Sequence, residues 1–218
     1  MIFTLSSVSV YGDSNVIVKK YSDVPEDFWA YSAIMNLTKN GLMSGTFIDS
    51  NGIATFKPER VMSRAEFIIV VVRFLYNKEL SEMPVVTGLW YQNGLNVAIK
   101  HGLVEKEDFG DLDSDALNQS MSREEMALVL SRALEEKGEI VNKKVLESAI
   151  PDIEEIGDHY KDGVRIAYGM GLIAGTNSKG TFNPKGVLTR AQAATVLNRL
   201  IDIKSRSVIN KDLLEKNF

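Results

Sequence analysis

Three arginines stand in the same local setting: Ser63-Arg64-Ala65-Glu66, Ser122-Arg123-Glu124-Glu125 and Thr189-Arg190-Ala191-Gln192. A guanidinium is permanently charged and presents a planar fork of donors, so the chemistry open to it is bidentate recognition of a carboxylate or phosphate. Each arginine follows a Ser or Thr and precedes a Glu or Gln by two residues, which is the capping box that starts a helix. The hydroxyl accepts from the backbone N–H three residues on, and the Glu or Gln reaches back to the N-cap amide. The arginine therefore occupies the first helical position, where the macrodipole is positive and a cation costs roughly 0.3–1 kcal/mol. That the cost recurs in all three copies implies a partner. Two kinds fit: an anionic ligand held jointly by the guanidinium and the free amides of the first turn, or a neighbouring carboxylate inside the fold.

The elements that position these arginines repeat with them. After each box, apolar residues recur at helical spacing: Phe67, Val70, Val71, Phe74, Leu75; Met126, Val129, Leu130, Ala133, Leu134; and Ala193, Val196, Leu197, Leu200, Ile201. A second arginine comes at the same place in each copy, at Arg73, Arg132 and Arg199. Upstream of each box lies a Gly-Leu pair, Gly41-Leu42, Gly102-Leu103 and Gly171-Leu172, which predicts the glycine-stopped end of an earlier helix. Counting back from that glycine, one face carries Leu37, Ile34, Ala33; Ala98, Leu95, Gly94; and Ala167, Val164, Gly163. Where this helix begins stand Trp29, Trp90 and His159. The unit is thus helix, glycine stop, loop, capping box, helix, three times over.

The loops separate the repeats. In the first and third, a second glycine (Gly45, Gly175) leads into a polar turn (Asp49-Ser50-Asn51-Gly52, Thr176 to Gly180) and then Phe56-Lys57-Pro58 or Phe182-Asn183-Pro184. The Phe-x-Pro element reads as a short extended piece folded over the helices. The second repeat has Lys106 in place of the glycine, an acidic run from Glu105 to Asp115, and no Phe-x-Pro. The organisation expected is a leader over 1–20, repeats at 21–75, 84–134 and 149–201, a charged connector at 135–148 and a charged tail at 202–218. Met1 to Val10 looks like the back half of a signal peptide, although the basic n-region is missing; a first strand or an unstructured leader is the alternative.

Composition narrows the function classes. Twenty-five Lys and Arg against 29 Asp and Glu give a net charge of −4, without the basic face that nonspecific nucleic-acid binding requires. The chain lacks cysteine, which excludes thiol catalysis, disulfides and zinc knuckles. It has no apolar run of transmembrane length. The Asp49 to Gly52 turn has its glycine too early for a calcium loop and Arg60 where the bidentate acid belongs. His101 and His159 lack a second ligand at metal spacing, and no catalytic triad, phosphate loop or dinucleotide pattern occurs. Asp23 and Asp152 read as helix caps or arginine partners. Trp29 and Trp90 suit core packing and sugar stacking equally.

Taken in order, these residues resemble the S-layer homology domain. Its repeats open with aromatic-x-Asp-Val, carry a Trp on the first helix, a Gly-Leu-x-x-Gly turn, a Phe-x-Pro element and a Thr-Arg-Ala-Glu box. The first repeat keeps Tyr21-Ser22-Asp23-Val24, Trp29, Gly41 to Gly45, Phe56-Lys57-Pro58 and Ser63 to Glu66. The third keeps Pro151-Asp152-Ile153 and the rest but has His159 for Trp, and the second is the most divergent. The resemblance implies an all-α monomer with three helix-loop-helix repeats in a pseudo-threefold arrangement around a central three-helix bundle, burying Val71, Leu130 and Leu197 together. It implies a noncatalytic, cofactor-free and metal-free anchor on the bacterial surface that binds an anionic, pyruvylated secondary cell-wall polysaccharide in grooves between repeats. Carried onto this chain, the binding residues would be Arg64, Arg123, Arg190, Trp29, Trp90, Asp23, Asp152, Gly45 and Gly175, the glycines by letting backbone approach the ligand. With its altered loop, the second repeat is expected to shape no sugar pocket as the others do. The other open reading is a structural module whose grooves are degenerate and whose partners are S-layer or envelope proteins. A glycan-processing enzyme would need paired carboxylates across one cleft, and nothing specific supports one.

Overall fold

A computed structural model of the chain describes residues 20–45, 47–48, 53–84, 86–139 and 150–207. The leader before Lys20, the turn from Asp49 to Gly52, most of the connector and the tail beyond Ser207 lie outside the described residues.

All three capping boxes form. The Ser63, Ser122 and Thr189 hydroxyls accept from the backbone of Glu66, Glu125 and Gln192, whose side chains return to the N-cap amides. They start α2 (Arg64–Glu82), α5 (Arg123–Glu136) and α7 (Arg190–Ile201). The first helices of the repeats are α1 (Tyr31–Lys39), α3 (Gln92–Lys100) and α6 (Lys161–Gly169), each followed by its glycine in the left-handed region: Gly41 at φ 68°, Gly102 at 64° and Gly171 at 70°. The second arginines secure these stops, since Nη1 of Arg73, Arg132 and Arg199 donates to the carbonyls of Leu42, Leu103 and Leu172. Trp29 and Trp90 stand in the turn before the helix rather than on it, and His159 lies in a single 3-10 turn, Asp158–Tyr160, that leads into α6.

The fold is predominantly helical, with a short α4 (Ser114–Leu117) and one small addition that helical periodicity does not reveal. In the first repeat, β3 (Ile53–Thr55) runs between β1 (Lys20–Tyr21), parallel to it, and β2 (Phe47–Ile48), antiparallel. Alternating β-branched residues in a loop long enough to fold back on itself favour this pairing.

Helices pair across repeat boundaries. α2 packs on α3, α5 on α6, and α7 returns to α1, so each second helix lies against the first helix of the following repeat and the last closes on the first. Gly163 permits one such approach: a Cβ there would stand 2.7 Å from the Leu128 Cα. The residues before the boxes hydrogen-bond in a closed cycle, Met62 N to Leu188 O at 2.9 Å, Met121 N to Met62 O at 3.0 Å and Leu188 N to Met121 O at 3.3 Å. Equivalent contacts thus run from the first repeat to the second, from the second to the third and from the third back to the first. Val71, Leu130 and Leu197 are all buried in one continuous core.

Candidate functional site

The box arginines reach from one repeat into the loop of the next. Arg190 donates from Nε to Phe56 O (2.9 Å) and from Nη2 to Ser44 O (2.8 Å), with its guanidinium 4.4 Å from the centre of the Phe56 ring. Arg123 repeats the arrangement on Phe182 O (2.6 Å), Ala174 O (3.0 Å) and the Phe182 ring (5.0 Å). Both residues are only 7–8% exposed. Burial pulls their pKa values down, opposed by the charge of Asp152 near Arg123 and, for Arg190, by Glu66 and Asp23; an arginine nonetheless stays charged. Arg64 takes the internal carboxylate: Nη2 and Nε meet Glu125 at 2.5 and 3.2 Å, and Nη1 donates to Ala116 O at 2.9 Å. Its guanidinium lies 5.0 Å from the Phe109 ring. All three arginines thus have partners inside the chain. Carbonyl pairs were not among the partners the sequence implied, because backbone acceptors leave no residue signature.

The carboxylates of Asp23 and Asp152 lie near enough to Arg190 and Arg123 to act on their charge, but their hydrogen bonds go to backbone amides of the loops rather than to a helix end or a guanidinium. The two Oδ atoms of Asp23 accept from Phe56 N (2.8 Å) and Lys57 N (2.7 Å), and those of Asp152 from Phe182 N (2.7 Å) and Asn183 N (2.6 Å). Lys57 and Asn183 both sit at φ 58°, so each carboxylate steadies a left-handed, non-glycine turn. The space beside Gly45 and Gly175 is filled by the protein itself. A Cβ would stand 2.8 Å from the Ala54 Cβ at Gly45 and 2.4 Å from the Gly180 Cα at Gly175. The expectation that these glycines admit a ligand gives way to close approach between two strands of the same loop.

The tryptophans are open. Trp29 is 60% and Trp90 48% exposed, each turned against its aromatic neighbour, Phe28 or Tyr91. Trp90 lines a groove of about 300 Å³ between the first and second repeats. Arg60, Val61, Met62, Ser63 and Glu66 form one wall, and Asn118 and Ser120 line the other side. The second repeat, expected to shape no pocket as the others do, therefore contributes to one. The groove is built from the segment leading into each box, which that repeat retains, and not from the Phe-x-Pro element it lacks. Arg60 donates to Glu66 Oε1 at 2.5 Å; burial raises the Glu66 pKa, but this bond and the nearby charge outweigh it and hold it below the usual range. Arg60, Asn118 and Ser120 were missed as site residues, although each lies within the five residues that precede a box arginine.

The junction of the second and third repeats is filled differently. His159, where the others have Trp, meets Asp108 Oδ1 through Nε2 at 2.8 Å, and the same buried carboxylate takes both Nη atoms of Arg132. Glu124 accepts from Gly157 N at 3.1 Å and from the Lys185 ammonium. Among the described residues no group of three or more His, Cys, Asp or Glu is placed to hold a metal ion, and no helix is long and apolar enough to cross a membrane.

Comparison with known proteins locates these features in a family. The S-layer homology domain model matches residues 20–47 and 149–194. The chain is 30% identical over 200 residues, 88% of its length, to Exoglucanase XynX of Acetivibrio thermocellus. It is 30% identical over 84% of its length to an amylopullulanase of Thermoanaerobacterium thermosulfurigenes, and 24% identical over 87% to the Surface-layer 125 kDa protein of Lysinibacillus sphaericus. It spans only 17, 10 and 16% of those relatives respectively. With the matched segments, the three formed capping boxes and the repeat-to-repeat packing, the chain belongs to the S-layer homology domain family.

Proposed function

We propose that this chain is a noncatalytic module that anchors its protein to the bacterial cell wall by binding an anionic, pyruvylated secondary polysaccharide in grooves between repeats. The observation that carries the reading is Trp90, half exposed in the wall of the groove between the first two repeats, with polar side chains around it. An indole left in water presents a flat apolar face to a sugar ring, and Ser, Asn and Glu offer partners for hydroxyls. Trp29 offers the same face on the first repeat. The relatives support an anchoring rather than a catalytic role: an exoglucanase, an amylopullulanase and a surface-layer protein differ in printed activity, yet each is similar to nearly all of this chain over a small share of its own length. Location at the cell surface follows from the same reading.

The ion pairs at the junction of the second and third repeats favour a second role there, a structural contact within the fold or with other envelope proteins. Cosedimentation with purified sacculi, before and after extraction of the nonpeptidoglycan polymer, tests the main reading. Binding should be lost on extraction. Equal binding to extracted sacculi would assign the contact to peptidoglycan or protein instead.

A further inference from the structure

The three junctions present different chemistry at equivalent positions. Where the first groove has Arg60, the second junction has Gln119 and the third Gly186. Where it has Asn118, the others have Lys185, already paired with Glu124, and Glu59. Where it has Trp90, they have His159, bound to Asp108, and Trp29. The first groove thus combines an open aromatic face with a cation that the other Trp-bearing junction lacks.

Arg60 is held for such a role. Its N–H donates to Lys57 O at 3.1 Å and its carbonyl accepts from Arg190 N at 2.8 Å, so the backbone is fixed on both sides. Its side chain is 40% exposed, against 12% for Arg64. Its recorded partner, the Glu66 carboxylate, is shared with the Ser63 amide at 3.0 Å and therefore stays in place when the guanidinium turns to a second anion. Arg60 and Arg190 stand near enough to oppose each other's charge, while Glu66 and Asp23 act on Arg190 in the opposite sense.

We infer that the groove between the first and second repeats selects acidic sugar units, Arg60 holding the ligand carboxylate while the Trp90 indole stacks on the ring. This rests on the glycan-binding reading and adds to it which groove takes the charged unit and which residue reads the charge. The box arginines, bound to carbonyls or to Glu125, act through the loops they hold. A guanidinium forked onto a carboxylate forms charge-assisted bonds that a neutral ester accepts only weakly.

The test is calorimetric titration of the full chain with a saccharide bearing a ketal carboxylate and with its methyl ester. Wild type should prefer the acid by about tenfold or more. Arg60→Gln should lose most of that preference, weakening the acid far more than the ester, Arg60→Lys should keep part of it, and Trp90→Ala should weaken both ligands. Circular dichroism melting of each variant identifies any loss due to unfolding, and Arg60→Lys then serves as the reference. If Arg60→Gln keeps the full acid preference while Trp90→Ala loses binding, the groove binds glycan but Arg60 does not read its charge, and the inference fails alone. If Trp90→Ala binds both ligands as wild type does, the groove reading fails with it.

Discussion

Arg64 shows how a residue suited to ligand chemistry can be absorbed by the fold. Its guanidinium lies against Glu125, whose side chain is 7% exposed, so removing the cation strands a buried carboxylate. Arg64→Ala should therefore lose about 3–5 kcal/mol of stability in urea unfolding, and Arg64→Met combined with Glu125→Gln should lose clearly less than Arg64→Met alone. Arg190→Ala should lose less, about 1–3 kcal/mol, because carbonyls rather than a charge are left without donors. The equality of the three boxes was legible in the sequence; the division of their partners was not, since a carboxylate in the next repeat and a backbone carbonyl look alike from the arginine's side. Two carboxylates also set a pH dependence. Arg206, and to a lesser degree Lys137, hold the Glu139 pKa below its usual value against an opposing effect of burial, and Arg60 does so for Glu66. A depressed folded-state pKa contributes stability above the unfolded value, near pH ~4.3, and that stability is lost as pH falls through the folded value. Melting temperature should decline below about pH 4, and less steeply in Arg60→Gln, measured by calorimetry across pH 3–6.

At the scale of elements, the loops carry the information that periodicity misses. Capping residues and stop glycines are local signals, so every second helix began where its box placed it and every first helix ended at its glycine. The roles of Asp23, Asp152, Gly45 and Gly175 depend on chain segments brought together by folding, and residue type alone assigned them to caps or to a ligand. Asp152→Asn replaces an acceptor by an amide donor facing Phe182 N or Asn183 N and should cost about 1–3 kcal/mol. Gly175→Ala should be at least as damaging, because the clash at 2.4 Å is with the Gly180 backbone, which has no side-chain rotamer to move. Hydrogen exchange of the 174–186 amides should report both changes before global unfolding does. A Gly175→Ala protein with unchanged loop protection would show that the two backbone segments are not held in this contact.

The whole molecule is closed by its ends. α7 packs on α1, and Asn36 Nδ2 donates to Asn198 Oδ1 at 2.6 Å across that contact. A helix that buries its face on the next repeat has no complete core within its own, so the three should unfold in one transition. Truncation after Gly186 should expose the α1 face and abolish cooperative melting; a truncated chain that keeps a sharp transition would mean that repeats fold separately. Amphipathic faces in the sequence revealed that helices must pack, yet not that each packs on a neighbour's partner, because two equivalent faces satisfy the same pattern.

The central claim is that glycan covers indole at the repeat junctions, and the chain is well placed to report it, since Trp29 and Trp90 are its only tryptophans. In a Trp29→Phe variant the emission comes from Trp90 alone, at the wall of the groove. Iodide quenching of that emission, measured with and without purified cell-wall polysaccharide, is the most direct measurement. The account predicts that saturating polysaccharide lowers the quenching constant by about half or more, as a ring stacked on the indole excludes the quencher. Unchanged quenching at a polysaccharide concentration that saturates binding would place the ligand elsewhere and contradict the account.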